Sequence, residues 1–309
     1  MLVIRDAANI KKEIKTPVVT LGNFDGIHLG HKTILNYVSD MAGKTDGTAV
    51  AITFSPHPLK VLSPDLSPAM LTTFKKKVTL IRDEGIDILV CARFSKKFAD
   101  QHPRSFAEDV LVGKIGAKEV VVGYDYRFGK GREGTIDYLK KMGEEFGFAI
   151  TVIDAYKVEG EIVSSTAIRS FIEDGEVDKA SRMLGRYYSI EGRVINGMKQ
   201  GIAIGYPTAN ISTPSELLPH TGVYAANVNI ENKRYNGVVN IGFNPTFKRD
   251  RLTIETHILE FKGDLYGCRM EIEFIGRIRN EQEFPSAEEL AKQIRKDVDT
   301  ATKIIAKAG

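Results

Sequence analysis

Cysteine, long apolar runs and a surplus of either charge are all scarce in this sequence, and each shortage excludes something. Its 309 residues contain two cysteines, Cys91 and Cys268, too far apart to form a paired metal-ligand motif. Cys91 lies in an apolar, strand-like run and reads as a small buried hydrophobe, and Cys268 beside Tyr266-Gly267 reads the same way. A soluble protein of a reducing compartment, the cytoplasm, is therefore expected. The longest apolar stretches, such as Thr48-Ala49-Val50-Ala51-Ile52-Thr53-Phe54, fall far short of the ~20 residues a membrane span requires. Met1-Leu2-Val3-Ile4-Arg5-Asp6 lacks the basic start and apolar core of a secretory signal, so none is expected. Lys plus Arg number 43 against 40 Asp plus Glu, a net charge of +3. That balance argues against a dedicated nucleic-acid binder, while a local basic site that handles phosphate remains open. Internal repeats and low-complexity tracts are absent too, and 42% apolar with 27% charged residues is ordinary usage, which excludes disorder and fibrous folds. The expected partners are small molecules, with neither nucleic acid nor membrane among them.

At roughly 100–200 residues per domain, the length suggests two domains. The first half alternates β-rich runs with helical patterns: strands at 18–21, 49–54, 87–91, 119–123 and 149–153, and helices at 32–41, 75–83, 104–115 and 135–146. Apolar strands between amphipathic helices predict a Rossmann-like parallel sheet covered on both faces. Ligands of such sheets bind at the carboxyl ends of the strands, so the turns after Leu21, Phe54 and Val122 are where chemistry is sought. From residue 190 the pattern changes to strands without helices, at 190–195, 222–229, 235–241, 252–261 and 270–278, punctuated by Gly, Asn, Pro and Asp. This predicts an antiparallel β-barrel or sandwich. A last helix starts at Ser286, with Glu289 placed to complete a capping box and Leu290, Ile294, Val298 and Ile305 as its apolar stripe. The expected domains are 1–185 and 186–309.

The segment Gly22-Asn23-Phe24-Asp25-Gly26-Ile27-His28-Leu29-Gly30-His31 joins the first of these strands to its helix. His28 and His31, three apart, bring two imidazoles to a helix N-terminus, where backbone N–H groups and the dipole favour an anion. The glycines let the backbone approach a ligand closely. Such a site suits a triphosphate, because phosphoryl chemistry needs aimed donors and positive charge and no nucleophilic side chain. A bland reading, a tight turn with two surface histidines, accounts less well for the whole block.

This block resembles the His-x-Gly-His signature of the nucleotidyltransferase superfamily, and its surroundings resemble the prokaryotic bifunctional riboflavin kinase/FAD synthetase family. The resemblance implies an ATP site formed by Gly22, Asn23, Asp25 and Gly30, with His28 and His31 as catalytic residues. It also implies a late Ser/Thr/Arg cluster clamping the ATP phosphates, which Val163-Ser164-Ser165-Thr166-Ala167-Ile168-Arg169 matches. Hydroxyls and a guanidinium suit phosphate through charge-assisted hydrogen bonds, and the same serines could cap a helix. Ser164, Ser165 and Thr166 are the expected ATP contacts, and Arg169 the catalytic one. Two further stretches resemble the family's flavin-side elements. In Phe54-Ser55-Pro56-His57-Pro58, the residues Phe54, Pro56 and Pro58 form a candidate wall for a planar ligand. In Gly123-Tyr124-Asp125-Tyr126-Arg127-Phe128-Gly129-Lys130-Gly131, Asp125, Tyr126 and Phe128 are candidates to meet an isoalloxazine ring. Both stretches could equally be loops packed on the core.

A rival is Gly129-Lys130-Gly131-Arg132-Glu133-Gly134, which fits Gly-x-Gly-x-x-Gly with Asp154 twenty residues beyond Gly134. It follows its strand at a distance and lies outside the first βαβ unit, so a dinucleotide site is not expected there.

In the second domain, Gly197-Met198-Lys199-Gln200-Gly201-Ile202-Ala203-Ile204-Gly205-Tyr206-Pro207-Thr208-Ala209-Asn210 resembles the flavokinase signature. The resemblance implies a loop wrapping ATP phosphates (Gly197, Lys199, Gly201), Mg²⁺ held by Thr208 and Asn210, and Glu255 as the base for the riboflavin 5′-hydroxyl. Hydroxyl and amide oxygens are hard ligands that suit Mg²⁺. Asn240-Ile241-Gly242-Phe243-Asn244-Pro245-Thr246-Phe247, Asp264-Leu265-Tyr266-Gly267 and Arg277-Ile278-Arg279 also fit the family pattern. Gln200 and Ile202 depart from it, because family members commonly carry basic residues in that loop. The implied activity is phosphorylation of riboflavin to FMN, then adenylylation of FMN to FAD with release of pyrophosphate, using ATP and Mg²⁺ in both steps. Alternatives are an FMN adenylyltransferase with a degenerate kinase domain, or a non-catalytic flavin-binding regulator. The expected state is a monomer or weak homo-oligomer.

Overall fold

The computed structural model describes residues 1–196, 205–231, 233–243 and 252–308, and its chain divides into two compact units. The first comprises 1–69 and 74–163; the second comprises 70–73 and 164–309.

The first unit is built on six parallel strands: β1 (Leu2–Arg5), β2 (Pro17–Leu21), β3 (Thr48–Ser55), β4 (Ile88–Arg93), β5 (Glu119–Gly123) and β6 (Ala149–Ile153). They pair in the order β1-β4-β3-β2-β5-β6. Every residue of β2 is buried, which is why this strand reads as a continuous apolar run with no alternation. The connections wind outward from β2 in both directions, so the order reverses between β2 and β5, and the turn after Leu21 stands at this switch point. One face of the sheet packs Val19, Leu21, Val50 and Ile52 against Phe106, Leu111 and Leu139. The other packs Val18, Ala49, Ala51 and Leu89 against Leu35 and Val38 of α1 (Leu29–Lys44). Ile81 joins that second face from a later helix, Phe74–Asp83.

Two elements differ from expectation. β1 was not anticipated, because its apolar run, Leu2-Val3-Ile4, is only three residues long and stays largely exposed at the sheet edge. The helix expected over 104–115 begins as the single turn Pro103–Phe106 and continues over Ala107–Ile115 with wider, π-type turns that end on a left-handed Gly116. A 3.6-residue period cannot reveal that widening.

After the sheet, β7 (Lys157–Val158) and β8 (Glu161–Ile162) pair as a short hairpin. In the second unit, β9 (Tyr188–Ile195), β10 (Ala209–Ser212), β11 (Gly222–Ile230), β12 (Lys233–Phe243), β13 (Leu252–Ile258) and β14 (Arg269–Arg279) close a six-stranded antiparallel barrel, ordered β10-β13-β12-β11-β14-β9. Barrel closure leaves no edge to pair with another chain. Four-residue β10 was too short to be read from its pattern. β13 ends at Ile258, earlier than expected, and a turn follows. Two helices precede the barrel, Ser165–Glu173 and Val177–Leu184, the latter stopping at left-handed Gly185.

The final helix, Ala287–Ala308, is capped at Ser286, whose hydroxyl accepts the Glu289 N–H at 3.3 Å; the Glu289 carboxylate pairs with Lys292. Its buried face holds Ala301, flanked by Val298, Ile304 and Ile305, against Val223, Ala225 and Val238 of the barrel. Asp297 is also on this face, only 2% exposed. Arg279 resolves the conflict by donating from Nε and its terminal nitrogen to both Asp297 oxygens at 2.8–3.1 Å, and Gln293 adds a bond at 2.9 Å. Asp297→Ala strands a half-buried guanidinium and is expected to cost about 3–5 kcal/mol. Denaturant unfolding followed by near-ultraviolet circular dichroism checks this. The same loss in a double Arg279→Met/Asp297→Leu variant would show that packing, not the ion pair, sets the cost.

Candidate functional site

The turn after β2 is held in a conformation that few sequences tolerate. Phe24 (φ 47°) and Ile27 (φ 40°) are left-handed without being glycine, and Gly26 (φ 85°) lies between them. Each non-glycine residue there costs on the order of 1–3 kcal/mol and persists only where its surroundings enforce it. Burial supplies part of that enforcement, since Phe24 and Ile27 are almost fully enclosed. The contortion delivers His28 to the N-cap of α1, where its Nδ1 accepts the His31 N–H at 3.2 Å. An accepting Nδ1 puts the neutral ring's proton on Nε2, which makes that nitrogen a donor. The His28 and His31 rings stack with centroids 3.6 Å apart and 15° between planes. Gly30 eases the fit beside them, because a Cβ there would lie 3.3 Å from the His28 ring and push on it. The result is a pair of imidazoles and the N-terminal turn of a 16-residue helix converging at one end of the sheet, a setting suited to phosphate oxygens. Asp25 is buried beneath the turn. Gly22 and Asn23 form its first part.

The expected flavin-side residues are differently placed. Phe54, at the end of β3, packs on Phe94 and Phe98 at 5.8 Å. Pro56 is exposed after a cis Ser55–Pro56 bond, and Pro58 opens the short helix α2 (Pro58–Leu62). The exposed Leu59, Leu62 and Leu66 follow. After β5, Asp125 is exposed, whereas Phe128 is buried against Phe106 and stacks on Tyr126 at 5.7 Å. Phe128 thus serves the core, and the exposed aromatic of that loop is Tyr124.

Ser164 caps the helix Ser165–Glu173 by accepting the Ala167 N–H at 3.2 Å. Ser165 and Arg169, four residues apart, share one face of this helix; Thr166 is exposed on another, and Ile168 and Ile172 are buried.

On the barrel, Asn210 of β10, Glu255 of β13 and Asn240 of β12 are successive cross-strand partners. They form a polar row on one face, opposite to the buried Ile254, Thr256 and Ile258. Thr208 Oγ1 approaches Glu255 Oε2 at 3.5 Å, the outer limit of a hydrogen bond. The backbone at Pro207 is tied down by His257, whose Nδ1–H donates to its carbonyl at 2.9 Å. Partial burial raises the pKa of Glu255, with the Thr208 hydroxyl opposing the shift. Thr208, Asn210 and Glu255 together offer hydroxyl, amide and carboxylate oxygens, a hard donor set that fits Mg²⁺. Among the described residues no cluster of three His, Cys, Asp or Glu side chains could hold a metal ion. Gly197, Lys199, Gln200, Gly201 and Ile202, and 244–247, lie outside the described residues.

Two family models match the chain: FAD synthetase over residues 10–167 and riboflavin kinase over 184–305. Curated relatives agree over nearly the full length. A bifunctional riboflavin kinase/FMN adenylyltransferase of Buchnera aphidicola subsp. Schizaphis graminum is 37% identical, covering 98% of each chain. The chain belongs to the bifunctional riboflavin kinase/FMN adenylyltransferase family. The Escherichia coli K12 protein of the same name is 39% identical over 92% of this chain and 91% of its own. A crystal structure described as a macrolide-efflux protein from Streptococcus pneumoniae shares 29% identity with a TM-score of 0.89, covering 98% of this chain and 99% of its own. Among the described residues of this family member, no helix is long and apolar enough to cross a membrane.

Two residues at these sites escaped the sequence reading as individuals. Asn240 was only one letter of a turn-like Gly/Asn/Pro cluster. Lys77 lay within three consecutive lysines, and its signal was faint: it stands four residues before Ile81, on the apolar face of its helix.

Proposed function

We propose that this chain phosphorylates riboflavin to FMN on its barrel and adenylylates FMN to FAD, with release of pyrophosphate, at the histidine-bearing end of its parallel sheet. The functional division follows 1–185 and 186–309. The observation that carries this is full-length likeness to relatives of that combined name, with one family model over each half.

In the adenylyl transfer, the FMN phosphate attacks the α-phosphorus of ATP. His28 Nε2–H, His31 and the α1 amides donate to phosphate oxygens as charge builds on them, and Arg169 with Ser164, Ser165 and Thr166 holds the remaining phosphates. These groups orient and stabilise and need not carry protons. Gly22, Asn23, Asp25 and Gly30 shape the ATP side, while Phe54, Pro56, Pro58, Asp125 and Tyr126 form the flavin side, with Phe128 backing Tyr126 from the core. In the kinase reaction, Glu255 accepts the proton of the riboflavin 5′-hydroxyl as it attacks the γ-phosphorus. Thr208 and Asn210 hold Mg²⁺, which when bound neutralises phosphate charge. Gly197, Lys199 and Gly201 are the ATP-phosphate contacts that the family resemblance implies for this half. The enzyme works on small molecules in the cytoplasm as a monomer or weak homo-oligomer.

Chromatography of products from purified protein tests both activities. FAD from riboflavin, ATP and Mg²⁺ is expected. FAD from FMN but none from riboflavin would leave the adenylyltransferase alone, and the cause of the lost kinase would be sought first at Gln200 and Ile202. The intact row of Asn210, Glu255 and Asn240 favours the two-activity reading.

A further inference from the structure

The helix Phe74–Asp83, here α3, carries Lys75, Lys76 and Lys77 in succession, and only Lys77 is buried, at 7% exposure. Its partner is a backbone atom far away in sequence: Lys77 Nζ donates to the Asn23 carbonyl at 2.7 Å. The same carbonyl also accepts from Thr53 Oγ1 of β3 at 3.1 Å. Two donors from two elements of the same unit therefore grip the peptide that opens the contorted turn. Residues 24–28 immediately beyond it are all buried, and two of these five, Phe24 and Ile27, are left-handed without being glycine. A buried ammonium is costly, and an apolar residue would fill the space without that cost. What an apolar residue cannot do is hold a carbonyl or face the buried charge of Asp25. Burial lowers the Lys77 pKa, while Asp25 and Cys91 act to raise it.

We propose that Lys77 is a positioning residue for adenylyl transfer: by holding the Asn23 carbonyl it locks the turn that sets His28 at the head of α1. This rests on the assignment of adenylyl transfer to this unit. Lys77 touches the backbone of the site and acts on phosphate through the histidines that the turn carries.

Lys77→Met and Lys77→Arg in the full chain test it, with riboflavin phosphorylation in the same sample as an internal control. For Lys77→Met, kcat for FAD formation should fall about 100-fold, the scale of a misplaced catalytic group. The KM for FMN and the kinase rate should stay within about threefold, well inside that effect. Hydrogen exchange should accelerate in residues 22–31 and not across β2–β6. Lys77→Arg, which can still donate to the carbonyl, should recover at least about tenfold, most of the positioning gain. Three results would overturn the proposal: near-normal FAD formation by Lys77→Met, accelerated exchange throughout the sheet, or no recovery in Lys77→Arg. Wild-type protein that makes no FAD from FMN would instead remove the assignment of function.

Discussion

His28→Ala lowers FAD formation from FMN and ATP at least ~100-fold, the usual cost of one transition-state donor, and leaves riboflavin phosphorylation unchanged. His28 has two separable roles in this structure. Its Nδ1 caps α1 by accepting the His31 N–H, and the proton this leaves on Nε2 is a donor for phosphate. Losing a cap costs only about 1 kcal/mol of helix stability, too little to empty the folded state. Asparagine separates the roles, since its side-chain oxygen caps helices well but offers no donor where Nε2 stood. His28→Asn should therefore fold like the parent and be as inactive as His28→Ala. Substantial activity in His28→Asn, measured as FAD per minute under saturating FMN and ATP, would reduce the histidine to a helix cap. Arg169→Ala is expected to show a loss of similar size with the kinase again intact.

Glu255→Gln suppresses FMN formation by about 10²–10⁴-fold, the range for a general base, and spares conversion of FMN to FAD. Glutamine keeps an oxygen that can accept from Thr208, so the local geometry survives while the proton acceptor is lost. The pH dependence of the parent enzyme has a defined sign. Partial burial raises the Glu255 pKa, and a base works only when deprotonated. Kinase kcat/KM should thus decline with falling pH at values above the ordinary glutamate pKa of about 4.3. Stability runs the other way. A carboxyl whose folded pKa exceeds its unfolded value binds its proton more tightly in the native state, so its contribution weakens as pH rises through that interval. Near neutral pH, Glu255→Gln should then melt no lower than the parent. A kinase rate unchanged in Glu255→Gln would place the base elsewhere, and a lowered melting temperature would mean that the carboxylate is structural.

Much of this arrangement was legible in the residues. The strands β2, β3 and β5 are enclosed on both faces and appear as nearly continuous apolar runs, and β13 of the barrel as an alternating one. The histidines and glycines after β2 announce themselves because glycine freedom and imidazole chemistry belong to single residues. The ladder neighbours Asn210, Glu255 and Asn240 are separated by long stretches of sequence, and only barrel closure reveals that they stand in one row.

Local chemistry written into consecutive residues was enough to point to a parallel α/β sheet followed by an antiparallel barrel or sandwich, and to locate the phosphate-seeking turn; closure into a barrel came from the tertiary structure. Tertiary structure alone decided which of three adjacent lysines goes inside, that Phe24 and Ile27 are left-handed, that Phe128 belongs to the core, and that Asp297 is buried against Arg279. The physical reason is the same in each case. Burying a charge or bending a backbone is unfavourable on its own, and it becomes stable only when a partner from elsewhere in the chain arrives to compensate it. For Lys77 that partner is Asn23, 54 residues away, and no local pattern encodes the meeting.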